Sequence, residues 1–148
     1  MGGNRKMTNF DIDFPAWINY GNANKKVSVQ MDELTSRVWS PFNGQKFAKV
    51  FIFCMAYGFA KGKKPEKPPG SGSMPGSAFD AEMRDVMKIV AISEKKDLEV
   101  AIQAKETVKI CEGYAYAAFP EVYDKLANCD SSIPAQTRIE TLIQEIQS

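Results

Sequence analysis

The chain contains no histidine. That removes the Ser-His-Asp and Cys-His nucleophile systems, the histidine general base and every histidine-containing metal site. Cysteine is scarce as well: Cys54, Cys111 and Cys129 are odd in number and far apart. This argues against a disulfide framework and against a zinc site with paired ligands, and it fits a reducing cytoplasm. Neither G-x-G-x-x-G nor G-x-x-x-x-G-K-S/T occurs, so no phosphate-cradling loop can be named. Charge of one sign is lacking too, with Lys plus Arg at 19 against Asp plus Glu at 18, so any nucleic-acid surface must be local. No apolar run reaches the roughly 20 residues that span a bilayer, and MGGNRKMTNF has no apolar stretch to serve as a secretory signal. Catalysis would fall to carboxylates, Lys or Tyr. Asp97 and Glu99 do not converge on a helix, and Glu106 and Glu112 have no partner that sequence can name. The expectation is a protein that is not an enzyme, with no cofactor, no metal and no membrane.

What is present is an ordinary globular composition, 44% hydrophobic and 25% charged over 148 residues, enough for one domain with a substantial core. Its centre is Gln45 to Ala60, QKFAKVFIFCMAYGFA, which is apolar almost all the way round. A helix made of it must be covered on several sides. Lys61, Gly62, Lys63, Lys64 and Pro65 then stop that helix with cations, a residue tolerant of positive φ, and a proline.

Residues 1–24 read as irregular; Phe10, Ile12 and Phe14 alternate with Asp11 and Asp13 as a short strand would, and Pro15 ends the alternation. Lys25 to Met31, KKVSVQM, alternates Val27, Val29 and Met31 with Lys26, Ser28 and Gln30, which predicts a short N-terminal β-strand with one wet face. A helix over about Asp32 to Trp39, with Leu34 and Val38 inside, and a break at Ser40 to Gly44 lead into the core helix. Residues 62–77, GKKPEKPPGSGSMPGS, hold four glycines, four prolines and three serines and read as a flexible surface loop. Beyond it, helices are expected over about Phe79 to Ile92, from Asp97, over about Glu106 to Phe119 with a kink or restart at Pro120, and from Pro134 onward. Small residues at Gly113, Ala115, Ala117 and Ala118 would let another backbone approach closely. The fold expected is therefore mostly α: an irregular segment 1–24 and a single helical domain 25–148 around a nearly all-apolar central helix.

Two surfaces are candidates for nucleic acid. Lys61, Lys63, Lys64 and Lys67 form the densest basic cluster and suit a phosphate backbone, though cations at a helix C-terminus also account for them. The order strand, helix, turn, helix over Lys25 to Gly58 is that of ribbon-helix-helix proteins, in which Lys26, Ser28 and Gln30 would face base edges of the major groove. Against it, the first helix is short and the second far more apolar than such a dimer needs.

Two blocks carry a resemblance. Pro41-Phe42 followed by VFIFCMAYGFAKGKKPEKP matches a Pro-Phe, Val-Phe-x-Phe-x-x-Ala-x-Gly-aromatic, Gly-x-Lys-x-Pro pattern. IVAISEKKDLEV followed by ICEGYAYAAF matches a helix end, an Asp-led short helix and a Glu-x-Tyr-Ala helix. Together, over about residues 25–126, they resemble the small proteins associated with DNA phosphorothioation (Dnd) systems. The long loop and Ala117-Ala118, where that family often has glycine, depart from its pattern. The resemblance implies a prokaryotic, cytoplasmic setting in a restriction or anti-phage defence system linked to DNA sulfur modification, and no catalytic residue. The reading is a non-enzymatic accessory protein that works through protein contacts on aromatic and small-residue helix faces, with a ribbon-helix-helix-like DNA binder or regulator as the alternative. The partners expected are defence-system proteins, with DNA and a second copy of the chain as further candidates.

Overall fold

The computed structural model describes residues 8–147. Its central element is α3 (Phe47–Ala60), in which Val50, Phe51, Cys54, Met55, Tyr57 and Gly58 are all buried. With apolar residues on every side, this helix cannot lie on a surface. It packs most extensively on α5 (Ala104–Ala127), the longest helix, which presents Val108, Cys111, Ala115, Ala118, Val122 and Leu126 to the core. The two helices meet through small residues: a Cβ added at Gly58 would stand 2.7 Å from the Tyr114 carbonyl oxygen and 3.0 Å from the Ala118 methyl. The close approach expected of the Gly113–Ala118 stretch is thus made by α3. Pro120 lies inside α5, which runs on to Ala127 and does not restart; the missing N–H falls at an exposed position where water can serve the freed carbonyl.

The other helices cover this pair. Helix α4 (Ala81–Lys95) buries Met87, Val90 and Ala91, is capped by the Asp80 carboxylate accepting the Met83 N–H at 2.9 Å, and ends at Lys96 in left-handed conformation, φ 55°. A short 3-10 turn, Leu98–Ile102, follows behind the expected Asp97 cap. Helix α6 (Ala135–Gln147) starts directly after Pro134 and inserts Leu142 into the core. One apolar core, from Ile18 to Leu142, joins α3, α4, α5 and α6, so the chain is a single mostly-α domain.

Two strand expectations are corrected. Residues Lys25–Ser36 form helix α2, capped by the Asn24 side chain, which accepts the Lys26 and Val27 N–H groups at 3.1 and 3.4 Å. Val27, Met31 and Leu34 fit a helical face as well as the period of two, and they are the buried residues, while Val29 is 59% exposed. The cap and the i, i+4, i+7 spacing therefore decide for helix. Because α2 ends at Ser36, Val38, expected inside, is exposed. Phe10 and Ile12 belong to a short helix, α1 (Asn9–Asp13), which Thr8 and Asp11 cap with a reciprocal capping box and which ends at Phe14. The strands are elsewhere: β1 (Trp17–Ile18) pairs antiparallel with β2 (Met74–Pro75), Trp17 opposite Pro75 and Ile18 opposite Met74.

That pairing places residues 62–77 differently from a free loop. Asn19, buried, donates its side-chain amide to the carbonyls of Pro69 at 3.1 Å and Gly70 at 2.9 Å, while its own oxygen accepts the Gly21 N–H at 2.8 Å. The Glu66 N–H reaches the Gly113 carbonyl at 3.1 Å, and Pro68, Met74 and Gly76 are buried. Gly76 is required there, since a Cβ would fall 2.1 Å from the Pro15 carbonyl oxygen. The segment is a strap fastened across the domain at several points.

Candidate functional site

The residues expected to read DNA do not share a surface. On a helix of about 100° per residue, Lys26 and Gln30 lie on one side and Ser28 roughly 200° away. Ser28 is half-buried, while Lys26 is exposed. With α2 helical, there is no ribbon to enter a groove. Of the loop lysines, Lys63 is consumed: its ammonium donates to Glu121 of α5, whose other oxygen accepts the Tyr57 phenol. Lys125 continues the chain of charges, 3.6 Å from Glu121 and 2.7 Å from Glu145 on α6. Lys61, Lys64 and Lys67 remain exposed, Lys61 with its ammonium 6.0 Å from the Tyr57 ring.

Tyr57–Glu121 is one of three phenol–carboxylate latches. Tyr114 on α5 donates to Glu94 at the end of α4, and Tyr123 on α5 donates to Glu33 of α2. Burial first, and then the carboxylate that accepts the phenol proton, push each of these tyrosines up to about 12 from an ordinary 10.0. The Lys63 ammonium and the Tyr57 hydroxyl bonded to Glu121 pull that carboxyl down to about 2 from 4.5. The consequences for stability have opposite signs. The phenols stabilise the fold fully below pH 10 and lose that contribution as pH rises toward 12, because an ionised phenol would face a carboxylate; Glu121 contributes above 4.5 and loses its contribution as pH falls toward 2. Unfolding midpoints measured across pH are expected to fall at both ends. Tyr57→Phe should flatten the alkaline limb, and an unchanged limb in Tyr57→Phe, Tyr114→Phe and Tyr123→Phe together would contradict the latches.

Two of the three cysteines, Cys54 and Cys111, are not poised as nucleophiles by their surroundings. Cys54 and Cys111 are fully buried, and burial pushes both thiols up, away from the thiolate. Among the described residues no three Cys, Asp or Glu side chains converge to hold a metal ion.

A cleft that carries several charged side chains forms between the strap and α5. Its volume is about 300 Å³, and its walls include Asn19, Pro65, Glu66, Lys67, Lys109 and Glu112. The strap can run this close because α5 has glycine at 113, where a Cβ would meet Pro65 at 2.9 Å. Glu112 stands in the cleft with one oxygen accepting the Asn19 backbone N–H at 2.8 Å. Burial raises its carboxyl pKa, against the pull of that hydrogen bond and of Lys109. Sequence spacing left Glu112 without a partner because its partner is a backbone group 93 positions away.

A second feature is apolar. Ile12 of α1, Ile89 of α4, and Leu98 and Ile102 of the 3-10 turn are each between 61 and 76% exposed. They belong to elements that touch, since both α1 and α4 pack on the 3-10 turn. Exposed charged residues, Asp13, Lys95, Lys96, Asp97, Glu99 and Lys105, surround them in sequence. The aromatic and small-residue faces expected to make outside contacts are turned inward instead. Ala118 meets Gly58, and Phe59 packs edge-on against Tyr114 with ring centres 5.6 Å apart.

No family model, curated protein or solved structure matches the chain. No helix of the described residues is long and apolar enough to cross a membrane.

Proposed function

We propose that this protein is a non-enzymatic accessory of a restriction or anti-phage defence system linked to DNA sulfur modification, working by contact with partner proteins. The setting rests on the two sequence blocks that resemble Dnd-associated proteins. The mode of action rests on one observation, the exposed Ile12, Ile89, Leu98 and Ile102 on neighbouring elements, with exposed charged residues beside them in sequence. Exposed aliphatic side chains beside charged ones are the composition of a protein-contact surface, where apolar area leaves water only when a partner arrives.

The test is a Leu98→Ser plus Ile102→Ser double variant in cells carrying a phosphorothioation-dependent restriction system. Both side chains are already exposed, so the thermal midpoint should stay within about 2 °C of wild type, as for substitutions worth at most ~0.5 kcal/mol. Restriction of unmodified DNA should drop to the level of a deletion of the gene. Full restriction by the double variant would overturn the proposal.

Direct DNA docking predicts something different. Lys63→Glu is a poor probe of it, since that change also breaks the bridge to Glu121. Lys61→Glu plus Lys64→Glu changes exposed ammonium groups outside that bridge. On the reading adopted here, that variant restricts normally and the wild type shows no salt-sensitive binding to duplex DNA, modified or unmodified. Binding that falls steeply between low and physiological salt and is lost in the Lys61/Lys64 variant would replace protein contact with phosphate contact.

A further inference from the structure

The cleft between the strap and α5 combines charges that no singly charged ligand satisfies. Glu112 contributes a carboxylate with one oxygen fixed by the Asn19 N–H, and among the described residues no hydrogen bond reaches its other oxygen. Lys109, one helical turn earlier on the same face of α5, and Lys67 on the strap contribute ammonium groups to the same walls. Glu66 is the remaining charged group there, and it neighbours Lys67. A simple cation drawn to Glu112 would meet the repulsion of two lysines, and a simple anion drawn to the lysines would meet Glu112. A molecule carrying both charges a few bonds apart satisfies all three side chains.

The walls are also built in advance. The Asn19 amide holds the carbonyls of Pro69 and Gly70, the Glu66 N–H holds Gly113, and the prolines at 65, 68 and 69 stiffen the strap between them. A preformed wall lowers the ordering cost of binding. At about 300 Å³ the cleft stands at the small end of ligand sites.

We propose that this cleft binds a small zwitterion of amino-acid size, its ammonium on the open oxygen of Glu112 and its anionic group between Lys67 and Lys109. The raised carboxyl pKa of Glu112 agrees with this, since an incoming ammonium would stabilise the carboxylate form that burial disfavours, adding to the pull of Lys109. The site is independent of the apolar face at Leu98 and Ile102, so either proposal stands if the other fails.

The experiment is NMR titration of the full chain with glycine, β-alanine and γ-aminobutyrate, a series in which the two charges separate by one methylene at a time. Propylamine and propionate supply each charge alone. At least one zwitterion is expected to shift the amide signals of Asn19, Glu112 and Gly113 saturably, and to bind at least about tenfold tighter than either singly charged control. Glu112→Gln, which retains an oxygen for the Asn19 N–H, should weaken that zwitterion by about tenfold or more. Lys109→Met should do so as well, and because Lys109 is exposed this variant keeps the test open if Glu112→Gln does not fold. No saturable shift with any zwitterion at about 50 mM, a concentration well above the ~1 mM that marks weak binding, would overturn the proposal. So would a singly charged control that binds as tightly as the best zwitterion, or affinity unchanged in the folded variants.

Discussion

Gly58→Leu is expected to lower the unfolding free energy by about 3 kcal/mol or more, the upper range for forcing extra methylenes into a filled core. A Cβ at this position stands 2.7 Å from a backbone oxygen of α5, so no rotamer change in a neighbour can make room. The α3–α5 contact must open, and with it the burial of Phe51, Met55, Ala118 and Val122. Gly58→Ala is the sharper variant, because two effects oppose each other. Alanine gains roughly 1 kcal/mol over glycine in a helix interior. Against this, its methyl would overlap both the Tyr114 oxygen and the Ala118 methyl, and the second overlap alone is removed by Ala118→Gly. Gly58→Ala should therefore be destabilised, and Ala118→Gly should recover only part of the loss. The check is the urea midpoint at unchanged slope. A Gly58→Ala protein more stable than wild type would mean that α3 and α5 do not meet at this point.

That contact was half legible in the sequence. The run from Phe47 to Phe59 announces a helix buried on all sides, and the small residues from Gly113 to Ala118 announce a close neighbour, but nothing local pairs the two. Elements whose signals are local were readable in the same way: the stop at Lys61 to Pro65, the Asp97 turn and the helix opened by Pro134. The segment Lys25 to Met31 failed because Val27 and Met31 satisfy two periods at once. Asn24 settled the matter by offering its oxygen to two orphan N–H groups at the start of a helix. The strands at Trp17–Ile18 and Met74–Pro75 are two residues each and more than fifty positions apart, too short to carry a periodic signal. The Gly/Pro/Ser composition of residues 62–77 read as a flexible loop and hid both the short strand at Met74–Pro75 and the ties that hold the segment down. The ties run through the Asn19 side chain and the Gly113 carbonyl, which composition does not report. The cleft escaped notice for the same reason, since it exists only once the strap is laid against α5.

Arg138→Met is the second substitution expected to have a large effect, about 3 kcal/mol with loss of α6 docking. Arg138 is the one buried charged residue among those described. Its guanidinium donates to the carbonyls of Ile133 at 3.0 Å, Leu126 at 2.8 Å and Asp130 at 3.1 Å, and stands 5.8 Å from the centre of the Trp39 ring. One planar group thus gathers the end of α5, the connecting loop and the first turn of α6. Methionine fills much of the same volume and removes the cost of burying a charge, which works in favour of the variant. It also leaves two carbonyls, those of Leu126 and Ile133, without this donor at roughly 1–3 kcal/mol for each that stays buried, while Asp130 keeps the Ile133 N–H. The second effect should win, because the acceptors lie on the end of α5 and on the connecting loop, which the guanidinium ties together and to α6. Arg138→Lys should rescue little, since a single ammonium cannot span three carbonyls set around a fork. Hydrogen exchange separates this from a general loss of stability: amides of α6 and residues 128–134 should exchange faster, while those of α3 keep their protection. Equal acceleration in α3 and α6 would show that α6 unfolds only with the whole domain, and an unchanged midpoint in Arg138→Met would show that the three carbonyls find water as readily as they find the guanidinium.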